Sequence, residues 1–201
     1  MILVVLTTLV SIAALQQRAL FGSLMFRPYA VHANNEWYRL ITHAFVHADW
    51  GHLFVNMLVL YVFGRNVEQT LVFVSPLPVQ LVYPTLYLGG VLFATLPGMA
   101  KHRLDPGYGS VGASGAVSAV LFAQIILMPT LSISVLFIPD IPAWLFGILY
   151  LIYSYAMDKR GGDNIAHDAH FYGAVFGVVF LLALQPALFF NLRAIGASLG
   201  L

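Results

Sequence analysis

The sequence predicts an all-α membrane protein, a bundle of six transmembrane helices, and three observations lead there. Hydrophobic residues make up 60% of the 201 positions and charged residues only 8%, whereas a soluble domain carries about 25% charge. The apolar residues fall into blocks close to the roughly 20 residues that a membrane span needs. Short polar connectors separate those blocks, so residues 1–201 are expected to form one domain.

Each element follows from its own residues. Met1 to Leu15 is apolar apart from a few hydroxyls and has no Lys or Arg ahead of it. The basic start of a signal peptide is therefore missing, and a retained first helix is expected, extending into Leu20 and Phe21 to reach span length. A signal peptide is the alternative. The connector from about Gln16 to Gly51 mixes Arg18, Arg27, Glu36, Arg39 and Asp49 with Phe21, Phe26, Trp37, Phe45 and Trp50. That combination suits the membrane interface, and short interfacial helices are expected there. Apolar runs and their Gly, Pro and charged breaks place the later helices at about His52–Val72, Val79–Leu96, Ala113–Met128, Ala143–Met157 and Ile165–Leu188. Leu131 to Ile138 alternates and runs into Pro139 and Pro142, which allows a short extended segment instead of a span.

Several function classes are excluded. A net charge of +1 with no basic run offers nothing to nucleic-acid phosphates. The absence of cysteine removes disulfides, thiolate metal sites and a cysteine nucleophile. No internal repeat suggests a transporter.

Six spans put both termini on one side, so helices two, four and six begin on the opposite face. His52 and Asn56, then Ser114, then His167 and His170 stand near those starts. Polar groups inside a span are costly and usually mark function. The i, i+4 spacing of His52 and Asn56 aims two hydrogen-bond donors at one point, although a bond gluing two helices would use the same residues. In Gly112-Ala-Ser114-Gly115 the serine opens a helix, where free backbone N–H groups and the helix dipole favour an oxyanion. Small residues there also suit plain helix packing. A serine nucleophile needs a base. His170 is the candidate, and Gly173 and Gly177 make a small-residue stripe beside it that lets its helix approach closely.

His43 with His47 and His167 with His170 have spacings that a metal could use. No His-Glu-x-x-His motif accompanies them, and the acidic residues fall mainly in connectors or near span ends. Neither a zinc nor an aspartyl intramembrane protease is supported, and no metal or cofactor is expected.

These residues resemble the rhomboid family. Glu36 to Met57, containing Trp37, Arg39, His43, His47, His52 and Asn56, is similar to its Trp-Arg loop running into a His-x-x-x-Asn helix. Gly112 to Gly115 is similar to its Gly-x-Ser-Gly motif, and Ala169-His170-Phe-Tyr-Gly173 to its Ala-His-x-x-Gly segment. The resemblance implies a six-helix intramembrane serine endopeptidase in which Ser114 is the nucleophile and His170 the general base. By the same likeness the oxyanion donors are the His52 and Asn56 side chains with the Ser114 backbone N–H, and Trp37 and Arg39 hold the first loop. Gly64 and Glu68 resemble structural positions. The partners implied are the lipid bilayer and transmembrane helices of substrate proteins, in a bacterial cytoplasmic membrane. A proteolytically inactive rhomboid-like protein that binds membrane clients is the alternative.

Three features depart from the family pattern or qualify it. The family often carries an aromatic residue four positions after the serine, stacked on the histidine, where this chain has Ser118; Tyr172, Phe171 or the Ser118 hydroxyl is expected to hold the imidazole instead. Tyr38 separates Trp37 from Arg39. Seven of the nine Lys and Arg (Arg18, Arg27, Arg39, Lys101, Arg103, Lys159, Arg160) fall on the active-site face, against the positive-inside rule for the family's orientation. Finally, Asp158 to Asn164, with two glycines and four charged residues, is expected to be a mobile cap over the site.

Overall fold

The computed structural model describes residues 2–135, 138–160 and 165–198. Helix α1 (Ile2–Gln16) does not continue into Phe21 as expected. Gln17 adopts an extended conformation (φ −126°, ψ 97°), and a separate helix α2 (Arg18–Leu24) follows. The connector is built from short pieces: α2, α3 (Pro28–Asn34), α4 (Arg39–Thr42) and a 3₁₀ turn at His43–Phe45. Proline in the first turn starts α3, and Asn35 ends it in the left-handed conformation (φ 59°) that asparagine tolerates.

Helix α5 (Trp50–Val74) is capped by Asp49, whose side chain accepts from the His52 N–H at 2.8 Å. Helix α6 (Val79–His102) carries Pro84 and Pro97 in its interior. Helix α7 (Ser114–Leu127) is the centre of the molecule: every residue from Gly115 to Leu127 is buried. A helix that is apolar all round has to be enclosed, and α9, α6 and α5 enclose this one. After α7 the expected extended segment is one arm of an antiparallel pair, β1 (Ser132–Val135) with β2 (Ile138–Pro142). Helices α8 (Ala143–Arg160) and α9 (His167–Leu184) follow. Pro186 begins a 3₁₀ segment to Leu192, so the last long helix stops short of the expected Leu188. Helix α10 (Arg193–Ser198) completes the described chain.

Small residues bring the central helices together. A Cβ on Gly90 of α6 would stand 2.7 Å from the Ala119 Cβ, and one on Gly173 or Gly177 of α9 would overlap the α7 backbone at Gly115 or Ala119. In a bilayer such close packing is what holds helices together, since lipid tails are as apolar as leucine.

Among the described residues the protein is all-α apart from the short β pair. Among the described residues three helices, α5, α6 and α9, are long and apolar enough to cross a membrane. Helices α1 and α7 are shorter, at 15 and 14 residues, and α8 ends in Asp158, Lys159 and Arg160. At 1.5 Å per residue α7 covers about 21 Å of a hydrocarbon core near 30 Å. Large apolar side chains face outward, Ile2 at 84% and Phe73 at 87% exposure, as a lipid solvent requires.

Candidate active site

The site begins with how the chain enters α7. Gly112 has φ +119°, a conformation that a side chain rarely adopts, and the His52 ring occupies the space a Cβ would need. Its N–H donates to the His43 carbonyl at 3.0 Å. The next residue, Ala113, donates its N–H to His47 Nε2 at 3.3 Å. Two histidines of the first connector thus hold the two residues of the Gly112-Ala113 turn.

Their protonation can be assigned from partners. Ser11 Oγ donates to the Phe45 carbonyl at 2.8 Å, so its contact with His47 Nδ1, also 2.8 Å, requires Nδ1 to carry the hydrogen. His47 is then neutral, with Nε2 accepting from Ala113. Burial, and after it the neighbouring His52, pushes His47 down to about 3. His43 donates from Nδ1 to the Arg39 carbonyl at 3.0 Å, and burial pushes it down to about 4.

At the start of α7, Ser114 Oγ lies 2.7 Å from His170 Nε2 of α9. That is hydrogen-bond distance between a hydroxyl and an imidazole on two different helices. Asn56 is buried on α5 and donates from Nδ2 to the His52 carbonyl at 2.8 Å, which uses one of its two amide hydrogens. His52 is half-buried above it, edge-on to His47 at 4.9 Å between ring centroids.

Arg39 organises the connector. Its guanidinium donates to the Gly22 and Met25 carbonyls at 2.9 and 2.7 Å and pairs with Glu36 at 2.5 Å. Hydrogen bonds from Asn34 and Arg39 hold the Glu36 carboxyl below its ordinary range. Trp37, expected to share this task, is 58% exposed instead; with Tyr38 between them, only Arg39 turns inward. Gly64 lets the Tyr83 hydroxyl approach α5 closely.

Residues 34–187 match the family model of the Rhomboid domain. The chain belongs to the rhomboid family. It is 33% identical over 151 residues to RHOMBOID-like protein 12, mitochondrial, of Arabidopsis thaliana, covering 70% of this chain and 44% of that one. To Rhomboid-like protein 11, chloroplastic, of the same plant it is 29% identical, over 78% of this chain and 56% of the relative. To the Putative rhomboid protease YdcA of Bacillus subtilis (strain 168) it is 34% identical over 85 residues, 42% of this chain and 38% of that one. The chain spans about half the length of the curated relatives it matches. This rhomboid is a membrane protein. A bacterial inner membrane is not supported, because its relatives carry mitochondrial and chloroplast names beside the bacterial one.

The departure at Ser118 has a structural answer on another helix. Phe171 and Tyr172 contact each other, at 6.4 Å between ring centroids, and Tyr172 is 43% exposed. The ring nearly parallel to His170 is that of Tyr150 on α8, with centroids 6.4 Å apart and planes 29° apart. His167 meets His170 edge-on at 5.8 Å. Sequence reasoning missed Tyr150 because nothing on α8 marks one tyrosine among Tyr150, Tyr153 and Tyr155; the one hint is Gly147, a turn earlier, which lets α8 approach Ile125 and Phe122 of α7.

At the mouth of the site Lys101, at the end of α6, pairs with Asp158 of α8 at 3.2 Å and Asp168 of α9 at 2.8 Å. Residues 161–164 of the expected cap lie outside the described residues.

Proposed function

We propose that this rhomboid is an intramembrane serine endopeptidase that hydrolyses peptide bonds in transmembrane segments of other membrane proteins, with the Ser114–His170 pair as its catalytic dyad. The observation that carries this reading is the 2.7 Å contact between Ser114 Oγ and His170 Nε2. With its proton on Nδ1, His170 accepts the serine proton at Nε2 as Oγ bonds to the scissile carbonyl carbon. The negative charge that develops on the carbonyl oxygen is met by the Ser114 backbone N–H at the start of α7 and by the side chains of His52 and Asn56. His170 then returns the proton to the departing amine. Water, deprotonated by the same nitrogen, releases the acyl group and restores Ser114.

The three span-length helices, with α1, α7 and α8 completing the passage, fit a six-span bundle in which α7 is sheathed by its neighbours and does not meet lipid. Its 14 residues are fewer than a full span needs, which suits a site opening to water within the membrane.

Labelling of the detergent-solubilised protein with a fluorophosphonate tests this. Ser114 should label, and both Ser114→Ala and His170→Ala should abolish labelling. A folded wild-type protein that neither labels nor cuts a panel of membrane-helix substrates would leave an inactive client-binding rhomboid as the reading.

A further inference from the structure

The space four residues after the serine holds a hydroxyl, and that hydroxyl is engaged on both sides. Ser118 Oγ is 2.8 Å from the Ser114 carbonyl oxygen and 2.5 Å from the Tyr150 hydroxyl. A carbonyl only accepts, so the single Ser118 hydrogen goes to Ser114. The Tyr150 hydroxyl must then donate to Ser118 Oγ. One assignment satisfies both contacts.

The ring on the other end of that hydroxyl is confined. Phe122 of α7 and Phe146 of α8 lie 5.7 and 6.2 Å from Tyr150 between centroids. The His170 ring lies beside it, with centroids 6.4 Å apart and 29° between planes. The contacts close a circuit: the Ser114 carbonyl holds Ser118, Ser118 holds Tyr150, Tyr150 lies along His170, and His170 Nε2 returns to Ser114 Oγ. Both ends of the circuit are on Ser114, so the imidazole plane is referenced to the backbone of the residue it must deprotonate.

We infer that Tyr150 is the positioning residue for the His170 imidazole and that Ser118 is the anchor that holds it there, the aromatic being delivered from α8 across to α7. This rests on the protease reading of the Ser114–His170 pair. Tyr150 acts through His170, by limiting rotation of a ring that must keep Nε2 on Oγ through successive proton transfers. Such aromatic contacts, and the orientation they set, correspond to about 3- to 10-fold in rate.

The test compares Tyr150→Phe, Tyr150→Leu and Ser118→Ala with wild type, using cleavage of a membrane-helix substrate, its pH profile, the thermal midpoint and ¹⁵N-histidine NMR of the whole protein in detergent. Tyr150→Leu should lower kcat about 3- to 10-fold with KM little changed, move the limb of the pH profile that reports His170, and shift the His170 ring signals. Tyr150→Phe keeps the ring but loses the bond to Ser118, as Ser118→Ala does, so both should lose less than Tyr150→Leu and to a similar extent. Unchanged kcat and pH profile in Tyr150→Leu would overturn the inference. So would equal losses in Tyr150→Phe and Tyr150→Leu that track a lowered midpoint, since these would show packing alone. If wild type itself neither labels nor cuts, the protease reading fails separately. The NMR comparison then decides, with His170 signals identical in wild type and Tyr150→Leu counting against the positioning role.

Discussion

Gly173 of α9 lies against the backbone of Gly115 of α7 so closely that a methyl group on it would overlap the Gly115 carbonyl. Gly115 follows Ser114 directly, and Gly173 comes one turn after His170. The separation of the two backbones therefore fixes the reach between Ser114 Oγ and His170 Nε2.

Gly173→Ala should consequently harm both stability and chemistry. Forcing a methyl group into a packed contact costs about 1–3 kcal/mol, and a dyad moved apart by a fraction of an ångström should lose at least ~10-fold in turnover. Gly22→Ala is the control, because a Cβ there meets nothing within 4 Å. Thermal midpoint and cleavage rate of the two variants check this, and a Gly173→Ala protein indistinguishable from Gly22→Ala would show that the helices are not in backbone contact.

Asn56→Ala should depress kcat by about 10²–10³-fold, the usual cost of losing one oxyanion donor, while slow fluorophosphonate labelling of Ser114 persists. Its bond to the His52 carbonyl lies within one helix, so the fold should survive. A large fall in thermal midpoint with labelling rate unchanged would assign Asn56 to structure.

Stability should depend on pH through His43 and His47. Both are buried and neutral, with folded values near 4 and 3 against 6.5 for the free side chain. Between those values the unfolded chain binds more protons than the folded one, so stability is full above about pH 6.5 and falls as pH drops toward 4. The slope is at most about 1.4 kcal/mol per pH unit for each histidine. Unfolding midpoints measured from pH 7.5 to 4.5 should show it, and His47→Gln should flatten the curve. A flat wild-type profile would mean that the connector histidines are hydrated and not buried.

Lys101→Met should loosen the mouth of the site without unfolding the protein. The lysine side chain is 48% exposed, so its two pairs contribute no more than about 1 kcal/mol to global stability. Hydrogen exchange at residues 166–170 should nevertheless accelerate, and high salt should produce the same change in wild type. Exchange unaltered by either would show that the carboxylates of Asp158 and Asp168 do not depend on the ammonium.

Much of this arrangement was legible in the sequence, because each signal was local. His52 and Asn56 are marked by their i, i+4 spacing, Ser114 by the Gly-Ala-Ser-Gly segment that opens a helix, and His170 by the glycine stripe at Gly173 and Gly177 on the face that meets α7. Helix ends were less legible. The break at Gln17 has no proline or glycine to announce it, and apolar residues resume after Gln185 and Pro186, which hides the change from helix to 3₁₀ segment there. Contacts between distant segments could not be read at all. His47 joining Ser11 to Ala113, and Tyr150 joining Ser118 to His170, depend on which helices become neighbours.

The 2.5 Å approach of the Ser118 and Tyr150 hydroxyls brings the tyrosine up against the α7 position four residues after Ser114. Ser118 is 2% exposed, so a larger residue there would have to displace the tyrosine. Ring size at these two positions, 32 residues apart in the chain, should therefore trade off among rhomboid sequences: where the α7 position is aromatic, the α8 position should be small, and the reverse. Such a covarying pair would let a chain keep its geometry while moving the aromatic ring from one helix to another.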